Sequence, residues 1–266
     1  VLSCSATETA RLLLNSKSRL FPSGAGNNNG WVGHNLQDHA YSGSNGLFEE
    51  DIFDDVGPNS GIAVCDFNHH NPGIIGGSIL TNSFSALPWQ FSEINMPGVK
   101  KWGLEHKAFM KKYFQKNIRI HGAVQEIPVF ERKVEIDPEV TDYWGIPVAR
   151  LSGSRHGNDI IVGNFIAQQS EIWLKETGAA RTWRQVASKN SIASQHQSGT
   201  CRMGNDPKTS VTNRYGQLHD IDNVFIADGS LHVTNGGFNP VLTIMAMAYW
   251  VSDFIKKEWN GTRFRS

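Results

Sequence analysis

The sequence contains no CxxC pair, no excess of either charge and no apolar run long enough to cross a bilayer. Its three cysteines, Cys4, Cys65 and Cys201, are odd in number and widely spaced. That excludes a disulfide framework and a structural zinc site, and leaves three isolated small residues expected in or near the core. Lys+Arg and Asp+Glu both number 25, so the formal charge is zero. No net basic field attracts phosphates, which argues against a nucleic-acid or anionic-membrane partner. The longest near-continuous apolar stretch, "VLTIMAMAYWV" (Val241–Val251), is too short to be a transmembrane segment and reads as a buried helix. The opening "VLSCSATETARLLLNS" has neither an initiator methionine nor a basic leader. It reads as the middle of a strand, so the chain is expected to be cut from something longer.

What is present is an ordinary globular composition: 266 residues, 39% of them hydrophobic, enough for one large domain or two smaller ones. "VLSCSATETARLLL" reads as a strand end, a turn and a helix, with Thr7 or Thr9 as cap and Leu12, Leu13 and Leu14 buried. "GAGNNNG" (Gly24–Gly30) is a near miss to a dinucleotide fingerprint. It follows Phe-Pro-Ser rather than a strand and reads as turn chemistry. From about Ser42 to Asn190, short strands alternate with Gly/Asn/Pro turns and separated helices. One helix is expected within Gly98–Lys116, with Trp102, Leu104, Phe109, Met110 and Phe114 on its apolar side, and another within "DIIVGNFIAQQSEIWLKETGA". Asp137-Pro138 is expected to start a turn between two strands. This pattern predicts an α+β layer with helices on one face of a sheet.

The chemistry gathers in the last seventy or so residues. His196 lies in "SQHQSGTCRMG", with no metal-ligand spacing to another His or Cys and no GxSxG nearby. Small residues follow it and let a flat ligand approach the backbone. Asp228 ends the short apolar strand of "NVFIADGS" and is followed by Gly229; a carboxylate there commonly accepts bonds from nucleotide sugar hydroxyls. In "GGFNPVLT", Asn239 and Pro240 read as the N-cap and first residue of a helix. Its N-terminus would favour an anionic ring such as reduced flavin. Taken singly, each feature is more simply a polar histidine, a turn and a cap.

Together and in this order, the motifs resemble those of the glucose-methanol-choline (GMC) oxidoreductases, flavoenzymes that bind FAD. "HQSGTCRMG", "NVFIADGS" and "GGFNPVLTIMAMAYW" look like the family's C-terminal motifs, and "ATETARLLLNS" and "VGHNLQDH" like its FAD-domain segments. The resemblance implies a mixed α+β or α/β chain, a partial FAD-binding fold. Residues 1–41 and 191–266 would belong to the FAD-binding domain and 42–190 to a substrate-binding domain. His196 and Asn239 match the family's catalytic pair, and Asp228, Gly229, Asn239 and Pro240 match positions beside FAD. His34 stands where Arg is common. The family's N-terminal GxGxxG unit is missing, so a partial or split enzyme is expected.

The middle region is similar to bacterial sugar and glycoside oxidoreductases of that family. Gln125 and Glu126, with Asp66, His69 and His70, are candidates to bond sugar hydroxyls, or else strand-edge polar residues. The resemblance implies FAD-dependent oxidation of a CH–OH group, with a sugar or glycoside as the expected substrate. His196 would act as general base, with oxygen, a quinone or a cytochrome subunit as electron acceptor. The alternative is an incomplete chain, non-catalytic until it docks to a partner that binds FAD. A hydrolase reading of His196 lacks a nucleophile.

Overall fold

The computed structural model describes residues 1–52, 61–83, 87–93, 96–190 and 194–259. Residues 191–193, at one expected domain boundary, and 260–266, at the end of the last expected domain, lie outside the described residues. In chain order the elements are α1 (Ser5–Asn15), β1 (Ala40–Leu47), β2 (Ala63–Val64), β3 (Leu80–Ser83), α2 (Pro88–Ser92), α3 (Gly103–Tyr113), β4 (Asn117–Val124), β5 (Lys133–Thr141), β6 (Pro147–Ser152), α4 (Gly157–Glu176), β7 (Arg181–Gln185), β8 (Gln217–Leu218), β9 (Ile221–Phe225) and α5 (Val241–Trp259). The mixed α/β chain divides into two units. One comprises Val1–His39, Glu126–His156 and Lys189–Ser266, the other Ala40–Gln125 and Gly157–Ser188. Glu126–His156 therefore groups with the two ends of the chain, although the sequence placed it in the middle region.

The second unit is an antiparallel sheet in the order β2-β3-β4-β1-β7. Helix α4 packs on it because Val162, Ile166, Ser170 and Leu174 recur every fourth residue, and all four are buried. They meet Ala40, Leu80, Ile120 and Val124 of the sheet. The central strand β1, "AYSGSNGL", has little intrinsic strand preference. It is held by close approach: a Cβ on Gly43 would stand 2.1 Å from the Ile120 carbonyl, and one on Gly163 of α4 would stand 2.7 Å from Ser42 Oγ. Helix α3 is shorter than the sequence suggested and carries no buried residue. Its Trp102 and Leu104 are exposed, while Phe109 stacks on buried Phe91 with ring centroids 5.4 Å apart.

The first unit is built on a core of Leu13, Val32, Leu36, Val134, Cys201, Val211, Leu218, Ile226, Leu231 and Val251. Ahead of α1, Leu2 makes an isolated parallel bridge to Ile226 and no longer strand. Cys4 is the N-cap of α1, without a side-chain cap bond. Thr7 and Thr9 lie inside the helix and point their hydroxyls at Gln197 and Asp228. Leu13 is buried but Leu12 is exposed, because one helix face of this length covers only the i, i+3, i+4 positions. The hairpin β5–β6 turns at Asp142, whose Oδ1 accepts from Trp144 N and Ile146 N, both at 3.0 Å. Asp137-Pro138 instead sits in β5 where the register shifts, with Asp137 Oδ1 accepting from Glu139 N and Val140 N. Of the cysteines only Cys201 is buried.

Helix α5 corrects the sequence reading most. It is apolar on most of its circumference, yet Leu242 is 81% exposed and Tyr249 75%. Val251 is fully buried in the unit's core, and Met247 and Phe254 pack against it. The unit covers one side of this helix and leaves the rest open. No helix among the described residues is long and apolar enough to cross a membrane.

Candidate active site

His196 sits where two backbone segments are pinned together. Gln37 N donates to Ser198 O and Ser198 N to Gln37 O, both at 2.9 Å, and His39 N donates to Gln195 O at 3.1 Å. Within this frame His196 adopts φ +62°, a left-handed conformation rare for a residue with a Cβ. Such a conformation costs ~1–3 kcal/mol and persists only where the surroundings impose it. Gly199 follows at φ +94°, and a Cβ there would stand 2.3 Å from the Asn35 carbonyl. Only glycine fits this crossing. The same segment then laces to the turn after β9: Gly199 N donates to Gly229 O, Cys201 N to Ser230 O and Met203 N to Leu231 O, at 2.9 to 3.3 Å. The histidine motif and the Asp-Gly-Ser motif are thus one piece of backbone.

Sequence reasoning missed the residue nearest the His196 ring, His39. The rings lie 4.9 Å apart at 73°, and the two Nδ1 atoms approach to 3.3 Å. At that distance a single hydrogen lies between the two nitrogens. His39 is fully buried. Burial first, and then the neighbouring His196, push its pKa down to about 4, with His232 acting in the same direction and Asp38 and the Gly236 backbone against it. Burial also lowers the pKa of half-buried His196. Both rings are therefore neutral near pH 7, the state a proton acceptor needs. The signal that pointed to His39 was "VGHNLQDH", quoted for family likeness but not for chemistry.

The depressed His39 pKa has a consequence for stability. An unfolded His39 takes its proton near 6.5, the folded one only near 4. The unfolded chain therefore binds the proton first as pH falls, and stability present above pH 6.5 is lost progressively down to about 4. The contribution is ~3 kcal/mol. Urea titrations at pH 7 and 4.5 check it: the parent should lose more stability between them than His39→Asn does. Equal losses would contradict the assignment.

Asp228 is placed as a turn residue. Its Oδ2 accepts from Thr9 Oγ1 at 2.5 Å, and its Oδ1 from Ser230 N at 2.8 Å and Ser230 Oγ at 2.6 Å. Both oxygens are engaged within the chain, so the carboxylate first of all ties α1 to the short 3₁₀ turn Gly229–Leu231. Gly229 is tight: a Cβ would reach 3.1 Å from Gln197 O. Helix α5 starts one residue later than the sequence suggested. Ile244 N donates to Pro240 O at 2.9 Å, which gives the capping position to Pro240 rather than Asn239. Asn239 is exposed beside the helix N-terminus and makes no hydrogen bond among the described residues; none joins it to His196. Ser198 Oγ and His232 Nε2 are buried beside these motifs with no hydrogen-bond partner among the described residues.

The two substrate-binding candidates part company. Gln125 ends β4, half-buried, its backbone N bonded to Gly77 O and its side chain lying over Gly76. Glu126 is buried among Asp38, Arg132 and Arg155, each at most 2% exposed. Its Oε1 accepts from Arg155 Nε at 2.5 Å, and its Oε2 pairs with Arg132 and accepts from Asp38 N at 3.1 Å. Glu126 thus points into an ion cluster rather than at a ligand, because a carboxylate this deep requires cationic partners. Asp66, His69 and His70 are exposed on a loop. His34, the departure from the family pattern, stacks on Phe130 and shares a 2.7 Å bond with its carbonyl.

Residues 134–248 match the profile of the GMC oxidoreductases. The chain carries a GMC oxidoreductase C-terminal region. It is 30% identical to the 2-methyl-1,2-propanediol dehydrogenase of Mycolicibacterium austroafricanum, over 98% of this chain and 48% of that protein. It is 29% identical to the 6'''-hydroxyparomomycin C oxidase of Streptomyces lividus, over 99% and 45%, and 28% identical to the gluconate 2-dehydrogenase flavoprotein of Pantoea cypripedii, over 87% and 40%. The chain thus spans a little under half the length of these relatives. Among solved structures, pyridoxine 4-oxidase from Mesorbium loti shares the fold with a TM-score of 0.63 at 15% identity, covering 96% of this chain and 51% of that one. A formate oxidase from Aspergillus oryzae RIB40, described for its FAD modification, aligns with a TM-score of 0.59 at 14% identity, over 97% and 54%.

Proposed function

We propose that this GMC region belongs to an FAD-dependent enzyme that oxidises a CH–OH group, and that the substrate is a sugar or glycoside. The observation that carries the reading is His196: a strained, half-buried, neutral imidazole backed by buried His39 and fused by backbone bonds to the Asp228–Leu231 turn. The relatives support a CH–OH substrate: they are a 2-methyl-1,2-propanediol dehydrogenase, a 6'''-hydroxyparomomycin C oxidase and a gluconate 2-dehydrogenase flavoprotein. FAD, when bound, would supply the hydride acceptor for the carbinol carbon. His196 takes the hydroxyl proton, and it does so at Nε2 in the tautomer whose Nδ1–H is donated to His39 Nδ1. Asn239 cannot take a proton; exposed beside the helix N-terminus, its amide bonds and orients the substrate oxygen.

The residues present fit a flavin on two counts. Ser198 Oγ and His232 Nε2 stand buried and unpartnered among the described residues, and the α5 N-terminus beside Asn239 and Pro240 favours negative charge. Asp228 holds its turn in shape at the FAD edge and contributes through that turn. In this reading the unit containing both ends of the chain belongs to the FAD-binding domain. The sheet unit, with Gln125 at the end of β4, belongs to the substrate-binding domain.

A phosphate-binding GxGxxG turn is not found in this sequence, and the exposed apolar side of α5 is a surface that further protein would cover. The 266-residue chain expressed alone is therefore expected not to hold FAD in stoichiometric amounts. Absorbance of the purified chain after incubation with excess FAD and desalting measures this directly. A yellow, saturated preparation would show that this chain binds FAD unaided.

A further inference from the structure

The site's support contains a feature that the reaction itself does not use. Asp38, Glu126, Arg132 and Arg155 form a buried quartet of two carboxylates and two guanidiniums. Arg132 Nη2 reaches Asp38 Oδ1 at 2.9 Å, and Arg155 pairs with both Asp38 and Glu126. Asn235 closes the cluster over the backbone. Its Nδ2 donates to Asp38 O at 2.5 Å, its Oδ1 accepts from Glu126 N at 3.0 Å, and its own N donates to Gln37 Oε1 at 2.9 Å. The segment so gripped, Gln37–His39, is the one that pairs with Gln195–Ser198 and carries the His39 ring.

A buried ion cluster is a poor way to gain stability, since well-packed apolar residues do as well or better. This one also leaves Asp38 Oδ2 buried without a hydrogen-bond partner among the described residues. What it does supply is direction. Bonds to Asp38 N, to Asp38 O and to its side chain fix the peptide on which the next residue, His39, is mounted. We propose that the Asp38–Glu126–Arg132–Arg155 quartet is a positioning device, holding the Gln37–His39 backbone so that the His39 ring meets His196 Nδ1. Its role in catalysis rests on the reading of His196 as the base; its role in placing the two rings does not.

The test is a nitrogen-15 spectrum of the histidine rings in the full chain, beside its thermal midpoint. Glu126→Gln/Arg155→Met removes one charge of each sign and leaves the Asp38–Arg132 pair. The double variant is expected to fold, while the ring nitrogens of His39 and His196 shift away from their shared-hydrogen values. Arg155→Lys, which keeps the charge but loses the planar fork, should shift the same signals by less and serves if the double variant does not fold. A folded variant whose His39 and His196 signals are those of the parent overturns the proposal, whatever its thermal midpoint. In the FAD-loaded full-length enzyme the double variant should also reduce flavin up to ~10²-fold more slowly, the scale of a small misplacement. Moved ring signals with unchanged flavin reduction would uphold the positioning of the rings and remove its catalytic role, and with it the reading of His196.

Discussion

His196→Ala is expected to slow flavin reduction by ~10²–10⁴-fold in the FAD-loaded full-length enzyme, with bound flavin retained. Hydride departure from an alcohol leaves a carbonyl, so the hydroxyl proton must leave before or during that step. His196 is neutral near pH 7 because burial lowers its pKa, and its Nδ1 is engaged by His39. That leaves Nε2 to accept the proton. Alanine removes the acceptor, whereas the backbone bonds from Gly199, Cys201 and Met203 to the Gly229–Leu231 turn do not use the imidazole. Anaerobic stopped-flow reduction of the flavin reads the rate and the absorbance of the enzyme before mixing reads its flavin content. Reduction at the parent rate would make His196 a structural histidine.

Arg155→Met alone is expected to cost ~3–5 kcal/mol of stability, the largest loss for any single change considered. The substitution leaves Asp38 and Glu126, both buried, facing the single guanidinium of Arg132. Burial, and then the charge of Asp38, already push the Glu126 carboxyl up to about 7 against the pull of the two arginines. With Arg155 gone that carboxyl takes up a proton or the cluster opens. Urea unfolding measures the loss, and Glu126→Gln/Arg155→Met should recover part of it by removing one of the two stranded carboxylates. A single variant as stable as the parent would show that Arg155 is not part of a closed buried cluster.

Much of the site was legible because its motifs are local. "HQSGTCRMG", "NVFIADGS" and "GGFNP" each specify a turn or a chain end, and glycines and a proline mark such places without help from the rest of the fold. Helix α4 was legible for a similar reason: its buried stripe recurs every fourth residue. What the sequence hid depends on partners far along the chain. β1 reads as loop, since Ser, Gly and Asn dominate it, and it becomes a central strand only because β4 and β7 pair with it on either side. Glu126 reads as a sugar-hydroxyl ligand or a polar strand-edge residue; its neutralising partners are Arg132 and Arg155, the latter 29 residues on, and it shares them with Asp38, 88 residues back. His39 stands 157 residues from His196, and no periodicity links them. α5 reads as buried but is largely exposed, because apolar composition says how much surface asks for cover and not whether this chain supplies it.

The central claim is that this region serves an FAD-dependent oxidation of a CH–OH group. It is tested most directly by mixing the FAD-loaded full-length enzyme anaerobically with a panel of sugars, glycosides and simple diols and following the flavin absorbance. The account predicts bleaching by at least one of them, slower when the carbinol carbon carries deuterium, and slowed again in His196→Ala. A flavin spectrum unchanged by every CH–OH compound in the panel, or bleached equally fast without the imidazole, would contradict it.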